Sequence, residues 1–342
     1  MSAMLSGMAE ALAQAGLTVA LDAPFGSLTT YGVGGSCAAM VDVAGSAQAL
    51  TAARVISEHS GVPVVVLGNG SNTLVADAGF DGLVVHLVAS RNPSDFEVTV
   101  HDGTVSADAW MPLPVLARRA TAAGACGLEW AVGVPGTVGG AVRMNAGGHG
   151  AETIDSLVSA RVVSLMTGRE VSFPAPELGL HFRGSALGDS HLVVAATFAA
   201  REPAGHDCAA ELAAVVSWRR ENQPGGRNAG SVFVNPAAGE GSSGALIDSA
   251  GLRGHGVGGA AVSEKHANFI QAGQGATAAD IVAVMEHVQD TVREVHGVVL
   301  RSEVKMVGFP ADVVERFVAE GHTEPHVVAA NAAMRVRLGE QS

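Results

Sequence analysis

The sequence predicts a two-part protein of the α/β or α+β class, and three observations support this. Its 342 residues exceed the length of about 250 at which a single hydrophobic core stops growing. Predicted helices and strands alternate, and 48% of residues are hydrophobic but only 4% aromatic. A polar loop at 201–207 interrupts this alternation. We therefore expect one part at 1–202, with two lobes that meet near residue 88, a smaller part at 203–310 and an extension at 311–342.

The elements of the first part are predicted from apolar runs and the residues that bound them. Residues 46–60 have a helical composition and end at Gly61. Short apolar runs rich in valine indicate buried strands. These predicted strands are 63–67, 83–87, 161–165 and 191–198.

In the second part the clearest element is a helix at 278–295. Its apolar residues recur at helical spacing on one face, and Thr277 and Asp280 have the spacing of a capping box. A second helix is expected at 209–222. In the extension we expect a helix at 311–320 followed by a frayed end.

Two glycine-rich segments carry the strongest functional signal. In 132–150, glycines and a proline alternate with valines, unlike the polar composition of a flexible linker. The second segment, Gly68 to Thr73, directly follows the predicted strand at 63–67. Glycine permits positive φ and leaves main-chain N–H groups uncovered. Consecutive glycine turns can therefore wrap a pyrophosphate without a helix dipole or a lysine.

Either segment alone is more often an ordinary glycine turn at the end of a strand. Together they favour a dinucleotide cofactor. Neither is a G-x-G-x-x-G motif that opens a helix within a βαβ unit, so a Rossmann NAD domain is not supported. The run Gly32-Val-Gly-Gly35 comes close to that motif but lacks the strand-to-helix context.

The charge balance bears on partners and location. Twenty basic against 33 acidic residues give a net charge of −13, and no Lys/Arg cluster offsets it, which argues against nucleic acid. An anionic ligand must then be held by main-chain amides and a few placed arginines. No apolar run reaches the length of a membrane span, and the N-terminus lacks the basic region of a signal peptide. We expect a cytoplasmic protein.

The cysteines and histidines indicate no metal site. Cys37, Cys126 and Cys208 are odd in number, far apart and without C-x-x-C spacing, so neither a disulfide nor a zinc site is expected. We interpret all three as small core residues. The 13 histidines form neither H-x-x-x-H nor H-E-x-x-H patterns.

Eight ordered motifs between residues 24 and 309 resemble one known family. They are Thr29-Thr-Tyr-Gly-Val-Gly-Gly35, Leu67-Gly-Asn-Gly-Ser-Asn72, Val134-Pro-Gly-Thr-Val-Gly-Gly-Ala141 with Met144-Asn-Ala-Gly147, Phe182-Arg-Gly-Ser185, Asn228-Ala-Gly-Ser-Val-Phe-Val-Asn-Pro236, Leu246-Ile-Asp248, Gly258-Gly-Ala-Ala-Val262 and Ser302-Glu-Val-Lys305. Their order resembles the UDP-N-acetylenolpyruvoylglucosamine reductases of the MurB family, which act in peptidoglycan precursor synthesis.

The resemblance implies a fold and a reaction. The fold is an FAD-binding domain of the vanillyl-alcohol-oxidase type followed by a smaller α/β substrate domain. NADPH reduces a non-covalently bound FAD, and flavin N5 then passes a hydride to the enolpyruvyl methylene carbon of UDP-N-acetylglucosamine enolpyruvate. Protonation of the neighbouring carbon gives UDP-N-acetylmuramate. The implied partners are this UDP-sugar and NADPH, and a monomer is expected.

The resemblance also assigns site residues. Arg183 matches the arginine that grips the substrate carboxylate, Glu303 the carboxyl group on its other side, and Ser231 the hydroxyl that gives the final proton. A carboxyl group beside that carboxylate needs a raised pKa. Asn235 and His266 match substrate-contacting positions. The matched cofactor contacts are Tyr31, Leu67, Gly68, Asn69, Gly70, Ser71, Asn72, Pro135, Gly136, Thr137, Gly139, Gly140, Asn145, Ala146 and Gly147.

Three positions depart from the family pattern. Phe182 replaces a tyrosine, Asn222 a lysine whose diphosphate contact Arg227 could supply, and His149 a tyrosine near the flavin. The short link before Trp218 resembles the subgroup without the extra tyrosine-bearing loop.

Two alternative functions are also open. One is an FAD-dependent alcohol oxidase or dehydrogenase of the same fold, for which His149 could tether the flavin. The other is a flavin or sugar-nucleotide binding protein without turnover. The set of Arg183, Ser231 and Glu303 argues against both, since neither needs it.

Overall fold

The structure, a computed structural model, describes residues 2–88, 96–203, 205–236, 239–318 and 324–340. The helices are α1 (Ala3–Gln14), α2 (Ser46–Ser57), α3 (Leu113–Ala122), α4 (Val138–Met144), α5 (Thr153–Ser156), α6 (Cys208–Asn222), α7 (Ser243–Ser249), α8 (Ala278–His296), α9 (Ala311–Phe317) and α10 (Pro325–Leu338). Of the helices in these ranges, none combines the length and apolar character that crossing a bilayer requires.

The strands form three sheets and two strand pairs. They are β1 (Thr18–Ala23), β2 (Cys37–Val43), β3 (Val64–Leu67), β4 (Thr73–Val75), β5 (Phe80–Leu87), β6 (Thr99–His101), β7 (Thr104–Asp108), β8 (Gly147–Gly148), β9 (Ala151–Glu152), β10 (Leu157–Ser164), β11 (Glu170–Pro174), β12 (His191–Ala199), β13 (Gly256–Val257), β14 (Ala260–Val262), β15 (Ile270–Ala272) and β16 (Lys305–Val307).

The first sheet delivers one glycine loop to the site. Its order is β1-β2-β5-β3, with β1 antiparallel to β2 and the other pairs parallel. The central strands β2 and β5 are rich in buried valine, as parallel strands covered on both faces are. Helices α1 and α2 pack against each other and against β2. At the end of β3 the chain enters the turn at 68–72.

The second sheet is antiparallel, in the order β11-β10-β12-β7-β6. Helix α4 packs on β12, and α2 reaches β10 and β12 from the first sheet. One continuous hydrophobic core therefore joins both sheets, with Phe173, Val194 and Phe198 among its fully buried members. This core carries the second glycine segment.

The C-terminal part has its own core. Helix α8 packs on the three-stranded sheet β13-β14-β15 through buried Ile281, Val284 and Met285. The predicted capping box is confirmed, since Asp280 N donates to Thr277 Oγ1 (3.1 Å) and Thr277 N to Asp280 Oδ2 (3.0 Å).

The two cores are joined beside the turn at 68–72. Strand β16 pairs in parallel with β4, which directly follows that turn. Both carboxylate oxygens of Asp77 accept from the first amides of α8, Ala278 N and Ala279 N, each at 2.9 Å. The structure thus holds the C-terminal part against the glycine-rich side of the first part.

Most predicted elements are confirmed within a few residues. The predicted strands correspond to β3, β5, β10 and β12, and the predicted helices at 46–60, 209–222 and 278–295 to α2, α6 and α8. The helix expected at 311–320 is α9, and its last predicted residues, like the segment 89–95 beside the predicted lobe boundary, lie outside the described residues. The domain limits remain predictions.

The prediction for two of the three cysteines was wrong. Cys126 and Cys208 form a disulfide with Cα atoms 5.9 Å apart, whereas Cys37 is a free, buried core residue as expected. The pair is separated by 82 residues, and Cys126 is brought to Cys208 by reciprocal main-chain hydrogen bonds of 2.9 Å with Arg201, in the segment that leads into α6. Local spacing therefore gave no signal of this bond.

The interpretation of 132–150 as glycine turns without a helix was also wrong. Thr137 Oγ1 accepts from Gly140 N (3.2 Å) and caps α4, which runs through the glycines. A Cβ on Gly139 would lie 3.0 Å from Ala109 Cβ, so this glycine allows close packing on the second sheet.

The frayed end expected after α9 is instead the helix α10. Val327, Met334 and Leu338 are buried against the first part, which explains why the segment folds. Glu340, 1% exposed in its side chain, closes this contact. It accepts from Ser164 Oγ (2.7 Å) and, through the same oxygen, from His191 Nε2 (3.1 Å). Burial alone would raise the Glu340 pKa, but these hydrogen bonds outweigh it and hold the pKa below its usual value.

Replacing Glu340 with alanine should lower the free energy of unfolding by about 1–3 kcal/mol, because buried donors on Ser164 and His191 lose their acceptor. Urea unfolding of the wild type and E340A measures this. The matched control is E324A, which removes an exposed carboxylate paired with His326 at the other end of α10. Equal midpoints for E340A and E324A would contradict the prediction.

Candidate active site

Two glycine loops face each other across a narrow gap. A Cβ built on Gly68 would lie 2.9 Å from Thr137 Oγ1, and one on Gly136 would lie 2.8 Å from Ser71 Oγ. Gly136 also has φ +115°, which an L side chain rarely adopts. Both positions therefore require glycine to keep this gap open.

The first loop presents main-chain amides. Among the described residues, no acceptor is found for the N–H groups of residues 69–72. Thr30 N donates to Gly70 O (3.1 Å), and this bond fixes the loop without using its N–H groups. Such a run of open amides in a glycine turn is an anion-binding arrangement. The first loop can therefore bind an anion such as the diphosphate of FAD.

Three other predicted cofactor residues lie at the ends of the elements that carry these loops. Leu67 ends β3 as a buried residue, and Asn145, at φ +41°, ends α4. Asn72 turns away from the gap: its Nδ2 donates to the main-chain oxygen of Glu303 (2.7 Å). The cofactor loop and the strand region that carries Glu303 are thus directly bonded.

Tyr31 lies apart from the gap. Its ring is fully buried in the C-terminal core. Its hydroxyl, beside the backbone of Ala229, lacks a hydrogen bond of good geometry within the described residues. Burial raises the pKa of this hydroxyl well above its ordinary value. Its cofactor role stays a prediction.

Arg183 sits at the tip of a strained turn. Reciprocal main-chain hydrogen bonds of 3.0 Å between His181 and Gly184 close the turn, and Arg183 adopts φ +59°. Its guanidinium stacks over the Phe182 ring at 4.6 Å. A left-handed non-glycine residue persists only where its surroundings over-determine it, and such residues concentrate at functional sites.

The Arg183 guanidinium joins two carboxylates from different parts of the chain. Its Nη1 donates to Glu152 Oε1 (2.7 Å), and its Nε lies 3.1 Å from Glu303 Oε2. The Arg183 and Glu152 side chains are about a quarter exposed, whereas that of Glu303 is 13% exposed.

Burial raises the pKa of Glu303 to about 7, and Arg183 opposes this rise only in part. At neutral pH, Glu303 is therefore poised between its charged and neutral forms. The pKa is thus raised, as the family resemblance requires, and burial is the cause.

Ser231 lies next to the strand contact that holds Glu303. Glu303 N donates to Val232 O (2.9 Å), and Val232 N donates to Asn268 O (2.9 Å). The Ser231 hydroxyl, half-buried, has no hydrogen bond to another residue in the described ranges. It is therefore available to a ligand, so Arg183, Glu303 and Ser231 lie in one region.

The predicted substrate contacts divide into two groups. Asn235 Oδ1 accepts from Ser243 N (3.0 Å), and the His266 ring lies against Gly244, so both meet the start of α7. Burial lowers the His266 pKa, with Arg253 adding to the effect. Arg227 instead reaches across to the first part, where its Nε donates to Tyr31 O (2.7 Å).

Sequence reasoning missed two sets of charged residues here. One is Glu152, which only the E-x-x-D spacing before a short helix could have indicated. The other is Asp189, which accepts from Arg143 Nη2 (2.5 Å) and Lys305 Nζ (3.1 Å) and so links the two parts. Burial would raise the Asp189 pKa, but Arg143 and Lys305 outweigh it and lower the pKa.

Two further clusters each include a residue of α6. The His149 ring packs edge-on against Trp218, with centroids 4.9 Å apart. Among the described residues, Cys126, Glu129 and Cys208 bring three potential metal ligands together. The two sulfurs are bonded to each other, and Glu129 accepts from Gly127 N (2.9 Å).

Comparisons with known proteins identify the family of this chain. Residues 38–173 match the model of an FAD binding domain, and residues 222–307 match the C-terminal domain of UDP-N-acetylenolpyruvoylglucosamine reductase. The reductase of Gloeobacter violaceus is 40% identical over 299 residues, which cover 86% of this chain and 96% of the relative. That of Paramagnetospirillum magneticum is 39% identical over 296 residues, covering 86% and 93%.

A solved structure agrees as well. The crystal structure of the Thermus caldophilus reductase is 31% identical, with a TM-score of 0.69, and covers 85% of this chain and 98% of that one. This chain belongs to the UDP-N-acetylenolpyruvoylglucosamine reductase family, the FAD-dependent oxidoreductases that use NADPH to reduce UDP-N-acetylglucosamine enolpyruvate in peptidoglycan synthesis.

Proposed function

We propose that Arg183, Glu303 and Ser231 carry the second half of this reaction, the reduction and protonation of the enolpyruvyl group. The observation that supports this most is the contact between Arg183 Nε and Glu303 Oε2 at 3.1 Å. It places a fixed cation and a carboxyl group of near-neutral pKa side by side. A cation can pair with the substrate carboxylate, and a neutral carboxyl group can donate a hydrogen bond to it.

FAD is held by the facing loops. The amides of residues 69–72 bind its diphosphate, and Gly68, Gly136 and Thr137 keep the gap wide enough. When bound, FAD takes a hydride from NADPH and supplies it to the enolpyruvyl methylene carbon.

Arg183 and Glu303 then stabilise the negative charge that develops on the substrate. A hydride added to the methylene carbon leaves an electron pair that spreads onto the adjacent carboxylate. Arg183 binds that carboxylate with its planar guanidinium. Neutral Glu303 donates a hydrogen bond to it, whereas ionised Glu303 would repel it.

Ser231 completes the reaction. Its hydroxyl gives a proton to the carbon that bears the ether oxygen, which yields the lactyl ether, and solvent then reprotonates the alkoxide. Serine is a weak acid in water, so this step depends on position beside a strongly basic carbon.

We further propose that Asn235, His266 and Arg227 contact the substrate beyond its enolpyruvyl group. Asn235 and His266 support this by their common position at the start of α7. We propose that the protein has no nucleic-acid partner, which its net charge of −13 supports.

We also propose that the protein is a cytoplasmic monomer, a location that fits its NADPH and UDP-sugar substrates. The Cys126–Cys208 disulfide argues against a cytoplasmic location, because cytoplasmic thiol systems keep most cysteine pairs reduced. Alkylation of the protein in intact cells, followed by a thiol count, and sedimentation of the pure protein test the two proposals.

Substituting Gly136 with alanine should raise the FAD dissociation constant by roughly tenfold or more, because the new Cβ meets Ser71 in the gap. Flavin fluorescence titration of the apoprotein measures this. The control is G124A, which has a similarly positive φ but no atom within 4 Å of the new Cβ. Equal FAD affinity in both variants would argue against this cofactor site.

Substituting Ser231 with alanine should separate the two half-reactions. Anaerobic NADPH should bleach the flavin at the wild-type rate, while reoxidation by UDP-N-acetylglucosamine enolpyruvate should slow by roughly 10²–10⁴-fold, because the proton donor is absent. Stopped-flow absorbance follows both steps. S217A, which removes an exposed hydroxyl bonded to Glu221, is the control. A normal reoxidation rate in S231A would exclude the proposed role.

The second half-reaction should slow as the pH rises through about 7, because Glu303 is neutral below this pKa and ionised above it. This decrease should appear as a falling limb in the plot of the second-order rate constant of flavin reoxidation against pH, which reports the ionisations of the free enzyme. In E303Q the amide stays neutral, so this rate should lose its dependence on pH between 6 and 9. A limb that persists in E303Q would assign the ionisation to another group.

A further inference from the structure

Arg183 lies between two carboxylates of different character, and only Glu303 has a place in the mechanism above. We propose that Glu152 is a positioning residue for the same half-reaction. As a fixed anion, it holds the Arg183 guanidinium in the orientation that receives the substrate carboxylate, and so leaves Glu303 free to change its protonation. This inference rests on the roles proposed for Arg183 and Glu303.

Both carboxylate oxygens of Glu152 face donors. Oε1 accepts from Arg183 Nη1 (2.7 Å) and Oε2 from Asn145 Nδ2 (2.8 Å). The Asn145 amide is fixed, since its Nδ2 also donates to His181 O (3.0 Å) and its Oδ1 accepts from Ile154 N (2.9 Å). A glutamine at 152 would have to direct its own NH₂ at one of these two donors, Arg183 Nη1 or Asn145 Nδ2, and that hydrogen bond would be lost. The position therefore requires a carboxylate.

The backbone of Glu152 is held as well. It pairs with Gly147 across the β8–β9 hairpin, and its N–H donates to Asp155 Oδ2 (2.7 Å). A Cβ on Gly147 would lie 2.7 Å from Glu152 Cγ, so this glycine makes room for the side chain. The carboxylate is thus placed before any ligand arrives, and little ordering entropy remains to be lost on binding.

The same contacts hold the turn that presents Arg183. Asn145 Nδ2, which bonds Glu152, also bonds the carbonyl of His181, the residue that closes this turn. Glu152 therefore fixes Arg183 twice, through its guanidinium and through the turn. The φ of +59° at Arg183 is a conformation that needs such support.

Glu303 differs from Glu152 in each of these respects. It belongs to the C-terminal part, and its carboxylate meets Arg183 alone in the described part of the chain. The other charges nearby are paired: Lys305, two residues further on, binds Asp189, which also binds Arg143.

Without Glu152, the charge of Arg183 would act on Glu303 alone. This would favour the ionised form of Glu303 and lower its pKa. The resulting Arg183–Glu303 pair would occupy both groups that the substrate needs.

The test compares E152Q with the matched control E170Q, which removes a carboxylate from the Arg161–Glu170 pair on β10 and β11. In E152Q, FAD content, thermal unfolding and NADPH reduction should match those of E170Q. Reoxidation by the enolpyruvyl substrate should slow by roughly 10–100-fold, since small misplacements of a catalytic group cost this much. Affinity for UDP-N-acetylmuramate, measured by calorimetry, should fall by roughly tenfold.

The pH limb of reoxidation should move down by about one unit in E152Q, which a purely structural change would not cause. Rates, affinity and limb equal to those of E170Q would overturn the inference. If E152Q loses FAD, the E152D variant is measured instead, because it keeps the negative charge. The falling limb of its reoxidation rate should stay at the wild-type pH, while the rate itself should fall. A limb that moves in E152D would overturn the inference. If the wild type is not reoxidised by the substrate, the proposed function itself fails.

Discussion

The contact between Arg183 and Glu303 links the geometry of the proposed site to the docking of the two parts of the chain. Their neighbours Leu180 and Val304 belong to different cores, so the pair exists only while the two parts are docked. The docking also buries Glu303, and burial is what raises its pKa into the neutral range. The chemistry of this carboxyl group is thus a property of the interface and not of its local sequence.

The contacts that maintain this interface converge on the first glycine loop. Strand β16 continues from the segment of Glu303 and pairs with β4, which continues from the loop. Asn72, the last residue of the loop motif, bonds the carbonyl of Glu303, and Lys305 N donates back to Asn72 O (2.9 Å). A ligand that orders the loop would therefore also order the segment that carries Glu303. Cofactor binding and the geometry at Glu303 are physically linked.

The sequence was informative where function depends on local patterns. Glycine loops after apolar runs, and the capping box at Thr277, are signals within a few residues, and the structure has both elements there. Residues brought together only by tertiary packing carried no such signal. The Cys126–Cys208 bond depends on how α6 docks, and the role proposed for Glu152 depends on its contact with Arg183, 31 residues away.

The proposed catalytic set was identified through family resemblance, because its members are separated in sequence and ordinary in type. Nothing in the residues around Ser231 or Glu303 requires them to meet, whereas motif order does imply it. The α10 helix was missed for a different reason. Its alanines, valines and arginines give a weak apolar face, and its docking relies on the buried carboxylate of Glu340, which no periodicity indicates.

The turn at Arg183 shows how the fold maintains a strained conformation. Asn145, at the C-terminal end of α4, donates from its Nδ2 to the carbonyl of His181, the first residue of the turn. Ser185 Oγ, just beyond the turn, donates to Arg143 O (2.6 Å), and Asn331 of α10 donates to Ala186 O (2.7 Å). Two elements, the C-terminal end of α4 and the helix α10, thus fix the segment on both sides. Each of these hydrogen bonds is worth only about 1 kcal/mol, so several must act together to keep Arg183 at positive φ. The bond from Asn331 comes from α10, which lies beyond residue 307, where the match to the family's C-terminal domain ends.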